Sequence, residues 1–322
     1  MIRTLLAVCL LAVTWPAFAN ESLRVGLQTT GTAAWLIDVI RRHGLDRGVG
    51  LELTSVDLAS PDAAKLALNG GAVDIAVTDW LWVARERALG ERMQFYPYST
   101  AVGAIMTRNE SPLRAVADLK DHVLAVAGGP LDKSWLIVQA MAIREGVDLK
   151  HEARLQFGAP PLIFEKTRQG EPDAGLNFWN FCARLEALGF RRLLDVREAE
   201  LKLGLKEPVA LTGFAFSEDF AKVHKAAIER FIAVVHKANE ILLQSDAEWE
   251  ALRPLMKAED EATFAAYRER MREGVPRRPV EAEEADATAL FAALATIGGP
   301  ALVGPASTLD PGLYYHPAPQ GE

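Results

Sequence analysis

The stretch Ala72 to Trp82, AVDIAVTDWLW, constrains this chain more than any other. Val73 to Val77 is almost wholly apolar, the pattern of a strand buried on both faces of a parallel sheet. Thr78 and Asp79 then supply a helix N-cap, and Leu81 to Leu89 carries a helical apolar pattern. A strand that turns straight into a helix points the helix's free N–H groups at the carboxyl edge of the sheet. Open α/β sheets bind their ligands at that edge. Trp80 and Trp82 sit there as well, and a plain helix cap needs neither. The stretch reads as one wall of a ligand cleft.

The same alternation recurs along the chain. Ser22 to Gln28 reads as a first strand and Ala33 to Arg42 as its helix, with Gly44 as C-cap. Leu51 to Leu58 is a second strand, and Pro61-Asp62 opens a helix that ends near Asn69. Phe95 to Thr107 is a long extended run, after which the pattern restarts. Val123 to Ala127, Ala153 to Phe157 and Asp173 to Leu176 read as strands; Ser134 to Glu145 and Leu162 to Gln169 read as helices. A second extended run, Pro208 to Phe216, precedes helices at Glu218–Gln244, Ala247–Leu255, Asp260–Arg272 and Ala282–Thr296. Two sets of βα units with an extended crossing at each end predict parallel sheets in two lobes, the second inserted into the first. The expected division is 20–102 with 210–322 for the first lobe and 103–209 for the second. No internal sequence repeat accompanies this likeness of layout.

A chain of 322 residues accommodates two ordinary domains. Its net charge of −8 and its lack of a basic run argue against nucleic acid as a partner, because phosphate binding needs clustered Lys and Arg. At the N-terminus, Arg3, the apolar Leu5 to Val13 and the small-x-small Ala17-Phe18-Ala19 form a signal-peptide pattern over residues 1–19. Cys9 lacks the small residue before it that a lipoprotein would need. No later apolar stretch reaches the roughly 20 residues of a membrane span. The expectation is an exported periplasmic protein that begins at Asn20. Cys182 is then its sole cysteine, flanked by Phe181 and Ala183, and reads as a small buried hydrophobe.

Four segments, taken in order, resemble a known family: Arg24-Val25-Gly26-Leu27-Gln28, Ala72-Val73-Asp74-Ile75-Ala76-Val77-Thr78, Val116-Ala117-Asp118-Leu119-Lys120 and Gly170-Glu171-Pro172-Asp173-Ala174. They are similar to the periplasmic substrate-binding proteins of nitrate/sulfonate/taurine-type ABC importers, a family that includes binders of thiamine's pyrimidine precursor. The resemblance runs to about Phe216. It implies a type II periplasmic-binding fold: two α/β lobes, two hinge crossings and a helical C-terminus on the first lobe. It further implies a monomer that delivers its ligand to a permease and ATPase, and binding positions in the loops after strands.

Those loops also stand out by residue type. Of the seven tryptophans, Trp35, Trp80, Trp82, Trp135 and Trp179 fall beside predicted strand ends. Indole faces stack on planar ligands and the ring N–H is a directed donor. Each is either core packing or cleft lining; Trp35, Trp80 and Trp135 are the strongest cleft candidates, and Trp82 is expected to pack inward. Lys133 either pairs with Asp132 or helps the adjacent helix start hold an anion. Asp79 either caps its helix or binds a ligand donor. Asn177 and Asn180 either hydrogen-bond a ligand or shape a turn. Gln28, Thr30, Thr32, Pro61, Thr78, Ser99, Thr100, Gly129 and Ser134 complete the candidate set. No catalytic motif or ligand-spaced histidine pair emerges, so neither an enzyme, a catalytic cofactor nor a metal site is expected. The expected ligand is small, planar, aromatic or heterocyclic and anionic, pyrroloquinoline quinone and a thiamine-type pyrimidine being examples. Alternatives are an alkanesulfonate or taurine binder, a ligand-sensing protein, and an enzyme like the thiamine-pyrimidine synthase.

Overall fold

A computed structural model describes residues 20–318, so the expected signal peptide lies outside the described residues. Ten strands form two five-stranded sheets. They are β1 (Glu21–Gln28), β2 (Leu51–Leu58), β3 (Ile75–Asp79), β4 (Met93–Ser99), β5 (Gly103–Arg108), β6 (Val123–Ala127), β7 (Arg154–Gly158), β8 (Ala174–Phe178), β9 (Phe190–Asp195) and β10 (Thr212–Ser217). The helices of the first half are α1 (Ala33–Arg42), α2 (Leu45–Gly48), α3 (Pro61–Asn69), α4 (Trp80–Ala88), α5 (Lys133–Arg144), α6 (Leu149–Glu152), α7 (Pro160–Gln169), α8 (Trp179–Ala187) and α9 (Val196–Lys202). After β10 come α10 (Glu218–Val223), α11 (Lys225–Gln244), α12 (Asp246–Met256), α13 (Glu261–Glu273), α14 (Val280–Gly298) and α15 (Pro300–Val303).

The first sheet runs β2-β1-β3-β10-β4 and the second β7-β6-β8-β5-β9. The expectation of parallel sheets needs correcting. In the first sheet, β1 is parallel to β2 and β3, whereas β10 is antiparallel to both β3 and β4. In the second, β6 is parallel to β7 and β8, and β5 is antiparallel to β8 and β9. The reversed strand in each sheet is the one that has just crossed from the other lobe. It arrives at the opposite end from strands fed by a local helix, so it runs against them. The extended run Phe95–Thr107 is therefore two strands in different sheets, broken at 100–102.

The two sheets share one layout, as the sequence pattern predicts. Asp74, just before β3, accepts the Arg24 backbone N–H of β1 at 2.8 Å. Asp173, just before β8, accepts the Val123 backbone N–H of β6 at 2.7 Å. In each lobe a carboxylate ahead of the central strand thus anchors the neighbouring strand, β1 at its middle and β6 at its start. Several elements have no counterpart in the sequence reading: α8, β9, α9 and the short helices α2, α6 and α15. The strand FRRLLD places Arg191 and Arg192 where an apolar residue would mark a strand. Arg192 is there neutralised by Glu186 at 2.7 Å and Asp195 at 2.5 Å. The long helix expected from Glu218 breaks at His224, into α10 and α11.

One apolar cluster joins the lobes, since it includes Trp80 and Val83 of α4 together with Trp135 and Leu136 of α5. A second gathers β1, α1 and the C-terminal helices α11 to α13 and takes in Trp179 and Ala183 of α8. Among the described residues no helix is long and apolar enough to cross a membrane.

Candidate functional site

The site is built around three helices at strand ends: α4 and α8 follow β3 and β8 without a break, and α5 follows β6 after the turn at 128–132. Each starts at the carboxyl edge of its sheet. At α4 the Asp79 carboxylate caps the helix, accepting the Trp82 backbone N–H at 2.8 Å. At α5 Asp132 does the same for Ser134 N–H at 2.9 Å and Trp135 N–H at 3.4 Å. Gly128, at φ +87°, makes the turn before α5; a Cβ there would press on Asp132 Cβ at 3.1 Å. Gly129 has open space at the same position, so it is Gly128 that the turn requires.

Both helix N-termini are thus filled by the chain's own carboxylates, and each carboxylate faces a lysine. Lys65 of α3 lies 3.9 Å from Asp79, and Lys133 lies 3.9 Å from Asp132. Each ammonium also sits over a ring: Lys65 at 5.8 Å from Trp82 and Lys133 at 4.6 Å from Phe178. Burial pushes the Asp132 carboxyl up; Lys133 pulls it back, and the Asp79 carboxylate, facing it from the other lobe, raises it further. Thr78 and Ser134, next to these caps, are buried, and neither side-chain oxygen has a hydrogen-bond partner.

A second set of residues spans the lobes through aromatic rings. Trp35 of α1 meets Trp179 of α8 edge to face, with centroids 6.0 Å apart. Tyr267 of α13 joins both, at 5.3 Å from Trp35 and 6.2 Å from Trp179. Burial pushes the Tyr267 hydroxyl up to about 12. Next to this trio the Asn180 amide donates to the Thr30 carbonyl at 3.2 Å, from the second lobe to the first. Thr32, buried, bonds the hydroxyl of Tyr98. Gln28 ties the β1 loop to the β3 end by donating to the Val77 carbonyl at 3.2 Å.

The side chains of the remaining candidates are enclosed or spent on contacts within the fold. Trp80 is wholly buried, 6.4 Å from Phe291 of α14, and its indole N–H has no partner. Trp82 is nearly buried, in the same cluster. Trp135 packs edge-on against Phe157 at 6.1 Å. Asn177 spends its amide inside the second lobe, donating to the Pro160 carbonyl at 3.0 Å and accepting Phe178 N–H at 2.8 Å. Pro61 is the first residue of α3, behind the Ser60 cap. Ser99 and Thr100 hold the first crossing: Ser99 accepts Ala101 N–H at 3.1 Å, and Thr100 N–H donates to the Gly274 carbonyl at 2.8 Å. Lys65 and Tyr267 are the neighbours that sequence reasoning missed. Lys65 could have been found, one turn into a helix that starts at a strand end. Tyr267 lies in the C-terminal helical region and carries no local signal.

Two cavities, of about 380 and 140 Å³, lie along Arg268 and Arg272 and beside Tyr96 and His236, away from these loops. Among the described residues no group of three or more His, Cys, Asp or Glu is placed to hold a metal ion.

A family model described as NMT1/THI5 like matches residues 43–248. The chain belongs to the NMT1/THI5-like family. No curated protein matches this NMT1/THI5-like chain by sequence. Its fold is that of solved periplasmic binding proteins. An alkanesulfonate-binding protein SsuA from Xanthomonas axonopodis pv. citri, bound to MOPS, superposes with a TM-score of 0.71 at 18% identity, covering 92% of this chain and 98% of that one. The periplasmic aliphatic sulphonate binding protein SsuA from Escherichia coli gives 0.67 at 19% identity, over 86% and 94%. An ABC transporter protein from Parabacteroides distasonis gives 0.66 at 14% identity, over 94% and 100%.

Proposed function

We propose that this chain is the periplasmic solute-binding component of an ABC importer. It closes two lobes, 20–102 with 210–322 and 103–209, on a small planar organic ligand and hands it, as a monomer, to a permease and its ATPase. The observation that carries this reading is the facing arrangement at the strand ends. Trp35 and Thr30 of one lobe engage Trp179 and Asn180 of the other. At the caps of α4 and α5, Thr78 Oγ1 and Ser134 Oγ are buried without partners. A buried hydroxyl left unpaired costs about 1–3 kcal/mol, a penalty that a ligand enclosed there removes.

The caps narrow the chemistry. Asp79 and Asp132 occupy the helix N-termini where a bare anion would otherwise sit, so the ligand offers donors to these carboxylates. Anionic groups on the same molecule reach Lys65 and Lys133. Trp35 and Trp179 take the stacking role, because Trp80 is enclosed on all sides. A heterocycle with ring N–H groups and carboxylates, such as pyrroloquinoline quinone, and an aminopyrimidine of the thiamine type both meet this description. The second reading, an alkanesulfonate, is favoured by the likeness to the two SsuA proteins.

Native mass spectrometry of the protein purified from its own periplasm tests the proposal. A co-purified planar heterocycle supports it, and a co-purified sulfonate decides for the second reading. A protein that carries nothing, and whose tryptophan emission ignores both ligand classes, refutes the solute-binding role.

A further inference from the structure

Helix α11 buries Ile228, Phe231, Val235, Ala238 and Leu242 on the face it turns to the fold. Asn239 lies on that face as well and is only 9% exposed. Its carboxamide makes no hydrogen bond. Oδ1 is buried without a partner, and Nδ2 donates to none of the described residues. Leaving a buried polar group unsatisfied costs about 1–3 kcal/mol, a penalty that an apolar residue at this position would avoid.

Asn239 lines the cavity of about 140 Å³ enclosed by β4, α11 and the link 274–279 that joins α13 to α14. Most of its polar neighbours there already have partners. The Tyr96 hydroxyl and His236 Nε2 share one hydrogen bond at 2.6 Å. Burial pushes the Tyr96 hydroxyl up to about 12 and the His236 imidazole down, with Glu240 opposing the latter, so the pair is uncharged at neutral pH. Glu240 bonds Lys237 at 2.9 Å, and Arg278 is held by Glu283 at 3.1 Å and Asp286 at 2.5 Å. Arg277, exposed at the rim, has no partner among the described residues. Val235, Leu243 and Val275 make an apolar wall. The link is pinned at both ends, at Arg278 and where the Gly274 carbonyl accepts Thr100 N–H at 2.8 Å, so the cavity is preformed.

We propose that this cavity is a second small-molecule site, apart from the strand-end loops, for an uncharged ligand with an N–H beside a carbonyl, that is, a carboxamide or lactam. Asn239 Oδ1 accepts the ligand N–H, while Asn239 Nδ2 and the Arg277 guanidinium donate to its carbonyl. The body of the ligand covers Val235, Leu243 and Val275, and a cavity of about 150 Å³ holds a benzene-sized body. Charge selects the class. A carboxylate brings no donor to Oδ1 and meets Glu240, and an ammonium meets Arg277 and Arg278. Water satisfies Asn239 but leaves the apolar wall uncovered. The site stands independently of the solute-binding role.

Benzamide, benzoate and toluene are the probes, titrated into the full chain and read by nuclear magnetic resonance at the Asn239 side-chain amide and the His236 ring. Both reporters belong to this cavity and not to the strand-end loops. Benzamide is expected to shift both, with benzoate and toluene bound at least tenfold more weakly. Asn239→Leu is expected to weaken benzamide at least tenfold and to leave toluene unchanged, read at His236. Where that variant does not fold, Val275→Trp on the partly exposed link fills the cavity and is expected to abolish the His236 response. Signals that stay unmoved up to the solubility of benzamide overturn the site. So do benzoate or toluene binding as tightly as benzamide, or a folded variant that binds benzamide like the wild type. None of these outcomes bears on the solute-binding role at the strand ends.

Discussion

Replacing Trp179 by Leu is the sharpest perturbation of lobe closure. Trp179 starts α8 in the second lobe, yet its ring contacts are Trp35 at 6.0 Å and Tyr267 at 6.2 Å, from the first lobe and the C-terminal helices. Aromatic pairs of this geometry contribute about 0.5–1.5 kcal/mol each beyond the area they bury. Losing both removes roughly 1–3 kcal/mol from the closed form and little from either lobe alone. That corresponds to about a 5- to 150-fold shift toward the open form. Leu retains the apolar bulk, so the second lobe keeps its own packing. Small-angle scattering with and without the co-purified ligand reads the open fraction, and the thermal midpoint checks that folding is intact. The variant is expected to be more expanded without ligand and to bind it more weakly by at least that factor, because the stacking face is lost as well. A variant with wild-type scattering, wild-type affinity and an unchanged midpoint would falsify the assignment of these rings to the interlobe contact.

Three further outcomes are expected. Glu200 is fully buried, and burial pushes its carboxyl well above the usual range; its Val209 bond pulls it down, Asp195 and Glu283 raise it, and Arg197 opposes them. Its folded value thus exceeds its unfolded one, so its contribution to stability falls as pH rises from the ordinary glutamate range toward the raised value. Urea titrations across pH should show Glu200→Gln flattening that decline, and an unchanged slope would count against a carboxyl raised by burial. Gly103→Ala puts a Cβ 2.0 Å from the Asn177 backbone carbonyl, where β5 meets β8. A loss of at least ~2 kcal/mol in urea unfolding is expected, since backbone cannot yield as a side chain does, and a neutral result would mean that the crossing is loose. Cys182 is buried and its thiol is pushed up to about 12 by desolvation, while its S–H donates to the Asn177 carbonyl at 3.2 Å. It should resist iodoacetamide in the native protein at pH 8 and react once urea exposes it; rapid native labelling would contradict its burial.

The layout of both lobes was legible because it rests on local patterns. Apolar runs such as Val123–Ala127 and helix starts such as Pro61-Asp62 and Asp79 report on their own neighbourhoods, and the structure uses them as the sequence spells them. β9 was not legible, because Arg191 and Arg192 are tolerable in a strand only when partners such as Glu186 reach them. The cleft was legible by half. The tryptophans mark the strand ends, but Trp35 and Trp80 look alike in sequence. Only packing makes one an interlobe contact and encloses the other against Phe291, more than two hundred residues away.

The chain alternates strand and helix and restarts once; those facts are written in residues a few positions apart, and they determine a two-lobed α/β protein with its loops at the sheet edge. What Ala72–Trp82 contributes to that edge was decided by tertiary structure. Beyond capping its own helix, Asp79 raises the Asp132 carboxyl of α5, so a helix start that reads as an anion site carries a carboxylate with a second one near it. The Val209 and Ala210 amides were likewise given to Glu200 and Glu283 by the fold alone. A side chain's partner, its charge environment and its access to the cleft all depend on segments far apart in sequence, and no local pattern encodes them.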